Sequence, residues 1–335
     1  MPARSALPCQ SGAISGAGTI AFGPGITNLS GNARVTSAGL SISGQNATLA
    51  VANALRFGGT FSSAIATTLR MASDGHLSLR GAATFDRSEV EGFGLLTTLG
   101  TTVVHGVILG QYVQWENRGS LFETGTLSFV SETSGFHNRS DGVFTLQGRV
   151  DIASPTQENV FRNDGTLIKA GGSNSTISAA LTNNGLVEVS AGRLTVTGDI
   201  SGRGTLQIDA GQTLAIDGSV ADRQTVAFSA GKERLILGDA SSFDGRLSSF
   251  GASDQLELLG FDRSTTTLSF SEKKNGTQGT LTITDATHHA DVVLLGQYVA
   301  AGFHVSSAGM GGTMVTYSPP PDTSLQLAPA GGVQH

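Results

Sequence analysis

A single cysteine, Cys9, in a chain of 335 residues excludes any internal disulfide, so the fold has to be held by packing and hydrogen bonds alone. Charge is scarce too. Asp, Glu, Lys and Arg make up 14%, only four of the twenty basic residues are Lys, and the net charge is −6. No cluster of Lys and Arg is present to displace counterions from a phosphate backbone, which argues against nucleic acid as a partner. There is no uninterrupted run of eighteen apolar residues to span a bilayer, and the start, Met1 to Gln10, lacks the apolar stretch of a secretory signal. Aromatics are 6%, which fits a narrow core of Val, Leu, Ile and Ala. No segment keeps a period of 3.6 over three turns, so helix has no support.

What is abundant is glycine, 46 residues, about twice the usual share of roughly 7%. It returns within a phrase. Trp115-Glu116-Asn117-Arg118-Gly119-Ser120-Leu121 is answered by Phe161-Arg162-Asn163-Asp164-Gly165-Thr166-Leu167 and by Leu181-Thr182-Asn183-Asn184-Gly185-Leu186-Val187. Ile200-Ser201-Gly202-Arg203-Gly204 continues the series with Gly in place of Asn, and Asn138 with Gly142 fits if two residues are inserted. Gly119, Gly142, Gly165, Gly185 and Gly204 are thus 23, 23, 20 and 19 residues apart. A period of that size marks a solenoid, in which stacking makes a continuous core that no single repeat can bury. With 39% hydrophobic residues the chain has enough apolar matter to build one.

A second phrase, Ser190-Ala191-Gly192, Asp209-Ala210-Gly211 and Ser229-Ala230-Gly231, recurs between segments that alternate with period two. Each coil is therefore expected to read as a turn at the Asn-Gly phrase, a strand, a tight turn at Ala-Gly, a second strand and a return loop. Gly is expected there for its access to φ > 0 and Asn for its tolerance of the left-handed region. In a stack the Asn side chains can also bond from coil to coil, as in ladders that stabilise stacked strands. At ~20 residues per coil and ~4.8 Å per strand, residues 12–238 would form about eleven coils, on the order of 50 Å long.

The expected organisation is a parallel β-solenoid over 11–238, irregular to about 100 and regular over 101–238, then a β-rich module over 239–318 and a flexible Pro-rich tail over 319–335. Within the module, Thr267–Phe270 and Thr280–Ile283 form a hairpin around Asn275-Gly276. Asp291–Leu295 and Thr313–Thr316 supply further strands.

The repeat phrases around Asn163, Asn183 and Gly204 resemble those of large proteobacterial surface proteins of the filamentous-haemagglutinin and autotransporter-passenger kind. Gly279–His288, followed by Leu294-Leu295-Gly296-Gln297-Tyr298, is similar to a module of very long rhizobial-type repeat proteins. The resemblance implies a right-handed parallel β-helix, displayed at or shed from the cell surface and forming part of a longer protein. It further implies contact with host-surface or matrix glycans or proteins.

Chemistry is harder to find. Aligning coils on Gly185 and Gly204 sets Glu188 over Gln207 and Ser190 over Asp209, so no carboxylate is expected to stack on another. Asp199, Asp217, Asp222, Asp239 and Asp244 read as turn residues. Adjacent His288 and His289 would face opposite sides of a strand, and Cys9 has no catalytic context. Neither a catalytic residue, a metal site nor a cofactor is expected. Lys169 falls where later coils carry Val189 and Ile208, and a bulge turning it outward is favoured over a buried stem with the amine at the mouth of the core. Trp115 takes the place of Phe161 and Leu181, which assigns it to the core rather than to sugar stacking. The expected function is a structural or adhesive solenoid segment. Two alternatives stay open: a carbohydrate-active β-helix enzyme, or a degenerate remnant without function.

Overall fold

A short strand with one apolar face must cover that face against another, and here every coil folds its strands around a shared interior. The computed structural model describes residues 8–319 except 11, 32, 131–132, 155–158, 230, 275 and 309–311, so the expected tail beyond Pro319 lies outside the described residues. The fold is all-β, a parallel solenoid of about 11 turns with roughly 21 residues per coil. Two sheets of fifteen strands and one of eight run along it.

A representative coil passes through Gln114–Asn117 in the eight-stranded sheet, Ser120–Glu123 in the second sheet and Thr126–Phe129 in the third. We call these the Asn, middle and return sheets. In the next coil they are continued by Gly135–Asn138, Val143–Gln147 and Asp151–Ala153, each paired in parallel with its predecessor. The coil thus has three strands, not two. The Asn phrase, expected as a turn, is itself a strand, because Trp115 and Asn117 both point inward and Glu116 between them points out. A polar residue at an inward position concealed the alternation.

Leu121, Leu127, Phe144, Leu167, Val187, Leu194, Leu206 and Leu214 are all fully buried. Each such side chain contributes about 1.5–3 kcal/mol relative to exposure. From Phe61 to Phe161 the core carries a chain of rings, with Phe85–Trp115 centroids 4.8 Å apart and Trp115–Phe136 5.6 Å apart. Trp115 is therefore a core residue, as expected.

The Asn sheet begins at Ala54–Phe57 and ends at Ile200–Gly202, after which Val220 and Phe243 continue it only as single bridges. The other two sheets extend further: Ala13–Phe22 pairs with Arg34–Ile42 at one end, and Gln255–Leu258 still pairs in parallel with Arg234–Leu237 at the other. Stacking then changes polarity. His289–Leu295 lies parallel to Arg246–Ser248 and antiparallel to Gln278–Thr284, which pairs with Thr267–Glu272 as the expected hairpin, with Phe270 opposite Leu281. Of its turn, Asn275 lies outside the described residues, and Gly276 has φ +63. Thr313–Tyr317 joins the return sheet antiparallel to Gln255–Leu258 and Phe303–Ser307 closes it, antiparallel in turn, with Tyr298, Phe303 and Tyr317 packed together.

Candidate functional site

The repeat positions form the most regular feature of the interior. Asn117, Asn138, Asn163 and Asn183 are completely buried at the corner between the Asn and middle sheets. The Nδ2 of each donates to the Oδ1 of the next, at 2.9, 2.8 and 2.9 Å. Each amide also donates to a backbone carbonyl of the neighbouring coil, for example Asn163 to Leu186 O at 2.9 Å. Thr98 begins the ladder by donating to Asn117 Oδ1 while accepting from Trp115 Nε1. Where Gly202 replaces Asn, Gln224 reaches back across the missing rung: its Nε2 donates to Asn183 O and Ser201 O, and its Oε1 accepts from Asn183 Nδ2.

The accompanying glycines serve another purpose than the one expected. Gly119, Gly142, Gly165, Gly185 and Gly204 do not have positive φ; instead a β-carbon at Gly185 would fall on the carbonyl oxygen of Gly165, and one at Gly165 on those of Arg139 and Gly142. The coils approach too closely there for any side chain. Likewise the ladder Asn residues lie in extended strands rather than in the left-handed region. The Ala-Gly corners do behave as expected, with Gly192 at φ +75 and Gly211 at φ +76.

Outside the same sheet, parallel pairing aligns Thr97, Glu116, His137, Arg162 and Thr182 in one column. Arg118 Nε lies 3.3 Å from Glu116 and its Nη1 3.5 Å from Asp141, and Arg139 donates to both Glu116 and His137 Nδ1. Because a guanidinium only donates, His137 Nδ1 is the acceptor nitrogen, and Nε2–H is left to donate to Asp164 at 2.7 Å. Burial holds His137 below the usual imidazole value despite Asp164. Burial also works against the Asp164 carboxylate, but hydrogen bonds from Asn184, Arg162 and His137 prevail and bring it down to about 2. Every acid and both imidazole nitrogens in this network are already engaged.

Beside the network lies a groove of about 450 Å³ whose walls include Asp74, His76, Gln114, Glu116 and His137. Phe93 forms its lip, and Tyr112 stacks on Phe93 from the next coil, with centroids 4.9 Å apart and planes 18° apart. Both rings are more than half exposed, at 59% and 52%. Sequence reasoning overlooked this pair. A signal was present: two aromatics nineteen residues apart, one of them between Gly92 and Gly94.

The interior corner between the middle and return sheets holds ionisable groups. Lys169 is fully buried, paired in register with Leu146 and Val189, so the expected outward bulge is absent. Its ammonium reaches the corner and donates to the carbonyls of Gly171 at 2.6 Å, Ala191 at 3.1 Å and Ala170 at 3.2 Å. Three acceptors satisfy an inward lysine that hydropathy alone would turn out, while burial holds its pKa below the ordinary lysine value. Glu123, two coils earlier in the same column, is also fully buried. Burial pushes it up to about 8, although Gly125 and Gly106 N–H groups donate to it. Near the solenoid end, burial and a hydrogen bond with the buried Glu233 raise Asp254 to about 6.

Glu188 does face Gln207, as expected, yet carboxylates are not kept apart. Asp209 of the following coil, held by Gln207 Nε2 at 2.8 Å, is a neighbour of Glu188, and burial together with that acid raises the Glu188 pKa. Two-residue offsets along a strand share one face, so a carboxylate diagonal to Glu188 reaches it where one directly above would not be needed. Asp199 accepts from Ser219, and Asp239 caps the short helix Ala240–Ser242. The two adjacent histidines part company, His288 toward Asp285 and His289 toward Asp291. No helix among the described residues is long and apolar enough to cross a membrane. A scan against protein-family models and a search of curated proteins found no match to the chain.

Proposed function

We propose that this chain is a structural and adhesive solenoid of a bacterial surface or secreted protein, without enzymatic activity. The observation that carries the reading is the inward ladder from Asn117 to Asn183, bridged by Gln224 where Gly202 omits a rung, which builds a stiff rod whose outer columns are free to vary. The likeness of the repeat phrases to proteobacterial surface proteins supports an extracellular setting. The closed ion network around His137 supports a role in holding coils together, since none of its groups is left over for proton transfer.

Contact through such a surface is weak per coil and gains strength from number. Duplicating residues 164–183, which span one rung, should lengthen the rod by one coil and increase retention of protein-coated beads on host-matrix surfaces. Unchanged retention would remove the adhesive role.

A second reading, a carbohydrate-active enzyme, has one observation in its favour: the Glu188–Asp209 pair joins a raised carboxyl to a neighbouring acid. Incubation with pectin and alginate decides it. Intact polymers favour the rod, whereas reducing or unsaturated ends that vanish in Glu188→Gln establish the enzyme.

A further inference from the structure

Where the return sheet runs out toward the Asn sheet, one outer column reads Ala52, Ala72, Phe93 and Tyr112 in four successive coils, the N–H groups of the last three bonding to the carbonyls of Val51, Met71 and Gly92 in the coil before. Two small residues are followed by two large ones. The two rings stack on each other, 4.9 Å apart and 18° from parallel, and so form one exposed ridge two coils long. Beside it lies a hollow of about 280 Å³, lined by Ala50, Ala52, Arg70, Ala72 and Gln111, with Phe93 as one wall. The neighbouring outer column, in register, reads Ala50, Arg70, Glu91 and Gly110, and Glu89 shares the outer face of its strand with Glu91. Arg70 Nε meets Glu91 at 2.6 Å, which leaves the other guanidinium N–H groups outside that contact. Two acids thus stand against one guanidinium, and burial, then the charge of Glu91, hold the Glu89 pKa above the ordinary value in spite of Arg70.

Both columns complement their own reverse. A two-fold axis lying across the rod, between the coil of Arg70 and the coil of Glu91, sets Ala72 against Phe93 of a second copy, Ala52 against its Tyr112, Ala50 against its Gly110 and Arg70 against its Glu91. A two-fold axis along the rod would instead set the coil of Arg70 on its own counterpart and the coil of the two acids on its own, like charge on like. We infer that this chain pairs with a second copy of itself, the two rods antiparallel, with the Phe93–Tyr112 ridge of each seated in the alanine hollow of the other. Arg70 of the second copy then brings a second cation to Glu89 and Glu91. Four coils at about 4.8 Å by a strand of five residues at about 3.3 Å make a patch on the order of 300 Å². A standard interface buries roughly 800 Å² per partner, so the pair is weak, with a Kd on the order of 100 µM. The pairing goes beyond the adhesive reading and does not depend on it.

The test is sedimentation velocity of the full chain from about 10 µM to about 1 mM, a range that brackets the expected Kd. A monomer at the low end and a growing dimer at the high end are expected. Phe93→Ala, which removes the ridge, and Ala72→Gln, which fills the hollow, should each weaken association by about tenfold or more. Both residues are exposed, so thermal melts of the dilute variants should overlay wild type. Orientation is read by cross-linking. Chains carrying Ala52→Cys, mixed with chains carrying Tyr112→Cys, both in a Cys9→Ser background, should form a disulfide on mild oxidation. Either variant alone should not, since the antiparallel register holds its two thiols three coils, about 14 Å, out of step, beyond the reach of a disulfide. A wild type still monomeric at the highest concentration, or a dimer undiminished by both substitutions, overturns the pairing. Cross-linking of Ala52→Cys chains with one another as readily as in the mixture overturns the antiparallel arrangement.

Discussion

At the corner between the Asn and middle sheets one residue type serves coil after coil, whereas at the corner between the middle and return sheets each coil buries something different: Glu123, Leu146, Lys169, Val189. The first corner is self-complementary. An amide both donates and accepts, so every Asn satisfies its neighbours with the same two atoms, and the solution can be copied indefinitely. At the second corner Glu123 and Lys169 depend on backbone amides or carbonyls. Those solutions are local, and they are ionisable. Repetition therefore gives this rod its continuity, and the exceptions give it its response to conditions.

The largest expected effect lies in the second corner and depends on pH. Folding raises Glu123 from 4.5 to about 8, so between those values the folded state binds more protons than the unfolded one and stability falls as pH rises. Asp254, raised from 3.8 to about 6, acts in the same direction at lower pH. Thermal melts from pH 5 to 8.5 should show a loss on the order of 3–5 kcal/mol. Glu123→Gln should flatten the upper part of that profile, and a profile unchanged by the substitution would show that Glu123 is not its source. Below pH 4 the trend reverses as carboxylates held low, Asp164 among them, become protonated.

Breaking the ladder comes next. Asn163→Leu keeps the branched outline but removes the donor to Asn183 Oδ1 and Leu186 O, which should lower stability by about 3 kcal/mol. Chemical denaturation at fixed pH measures it, and a loss below about 0.5 kcal/mol would mean the ladder is ornamental. Gln224→Ala tests the repaired rung. It removes the side-chain donor to the carbonyls of Ser201 and Asn183, the latter keeping the Gly204 N–H, and the acceptor of Asn183 Nδ2, and a loss of about 2 kcal/mol is expected. The smallest change belongs to Lys169→Met, where removing a buried cation offsets three lost carbonyl bonds, so stability at pH 7 should stay within about 1 kcal/mol of wild type. A collapse of this variant would make Lys169 a structural necessity.

Much of this was legible in the sequence because the stack repeats. The Asn-Gly phrase revealed the period, the coil count and the bonding between Asn side chains, and the position of Trp115 assigned it to the core. The third strand was not legible, since Asn117 and its counterparts are polar residues facing inward, and an alternation read by hydropathy stops at them. Nor was the use of Gly185, because φ is local whereas the collision with Gly165 O arises from the coil below. Lys169 misled for a related reason: its three carbonyl partners lie at a corner whose shape only the assembled stack defines. The Phe93–Tyr112 stack and the His137–Asp164 contact join residues of different coils, so neither shows in any single repeat.

The reach of Gln224 also bears on how the rod yields to force. Bonds between coils lie along the axis, so tension on the ends peels coils singly, each freeing about 70 Å of chain for its roughly 21 residues. Gln224 ties itself to Asn183, 41 residues away, across the coil that lacks its own rung. Peeling toward the N-terminus, loss of the coil bearing Gln224 also withdraws support from the coil beneath it. Two coils then leave together, and the otherwise even staircase of extension acquires one step of double height.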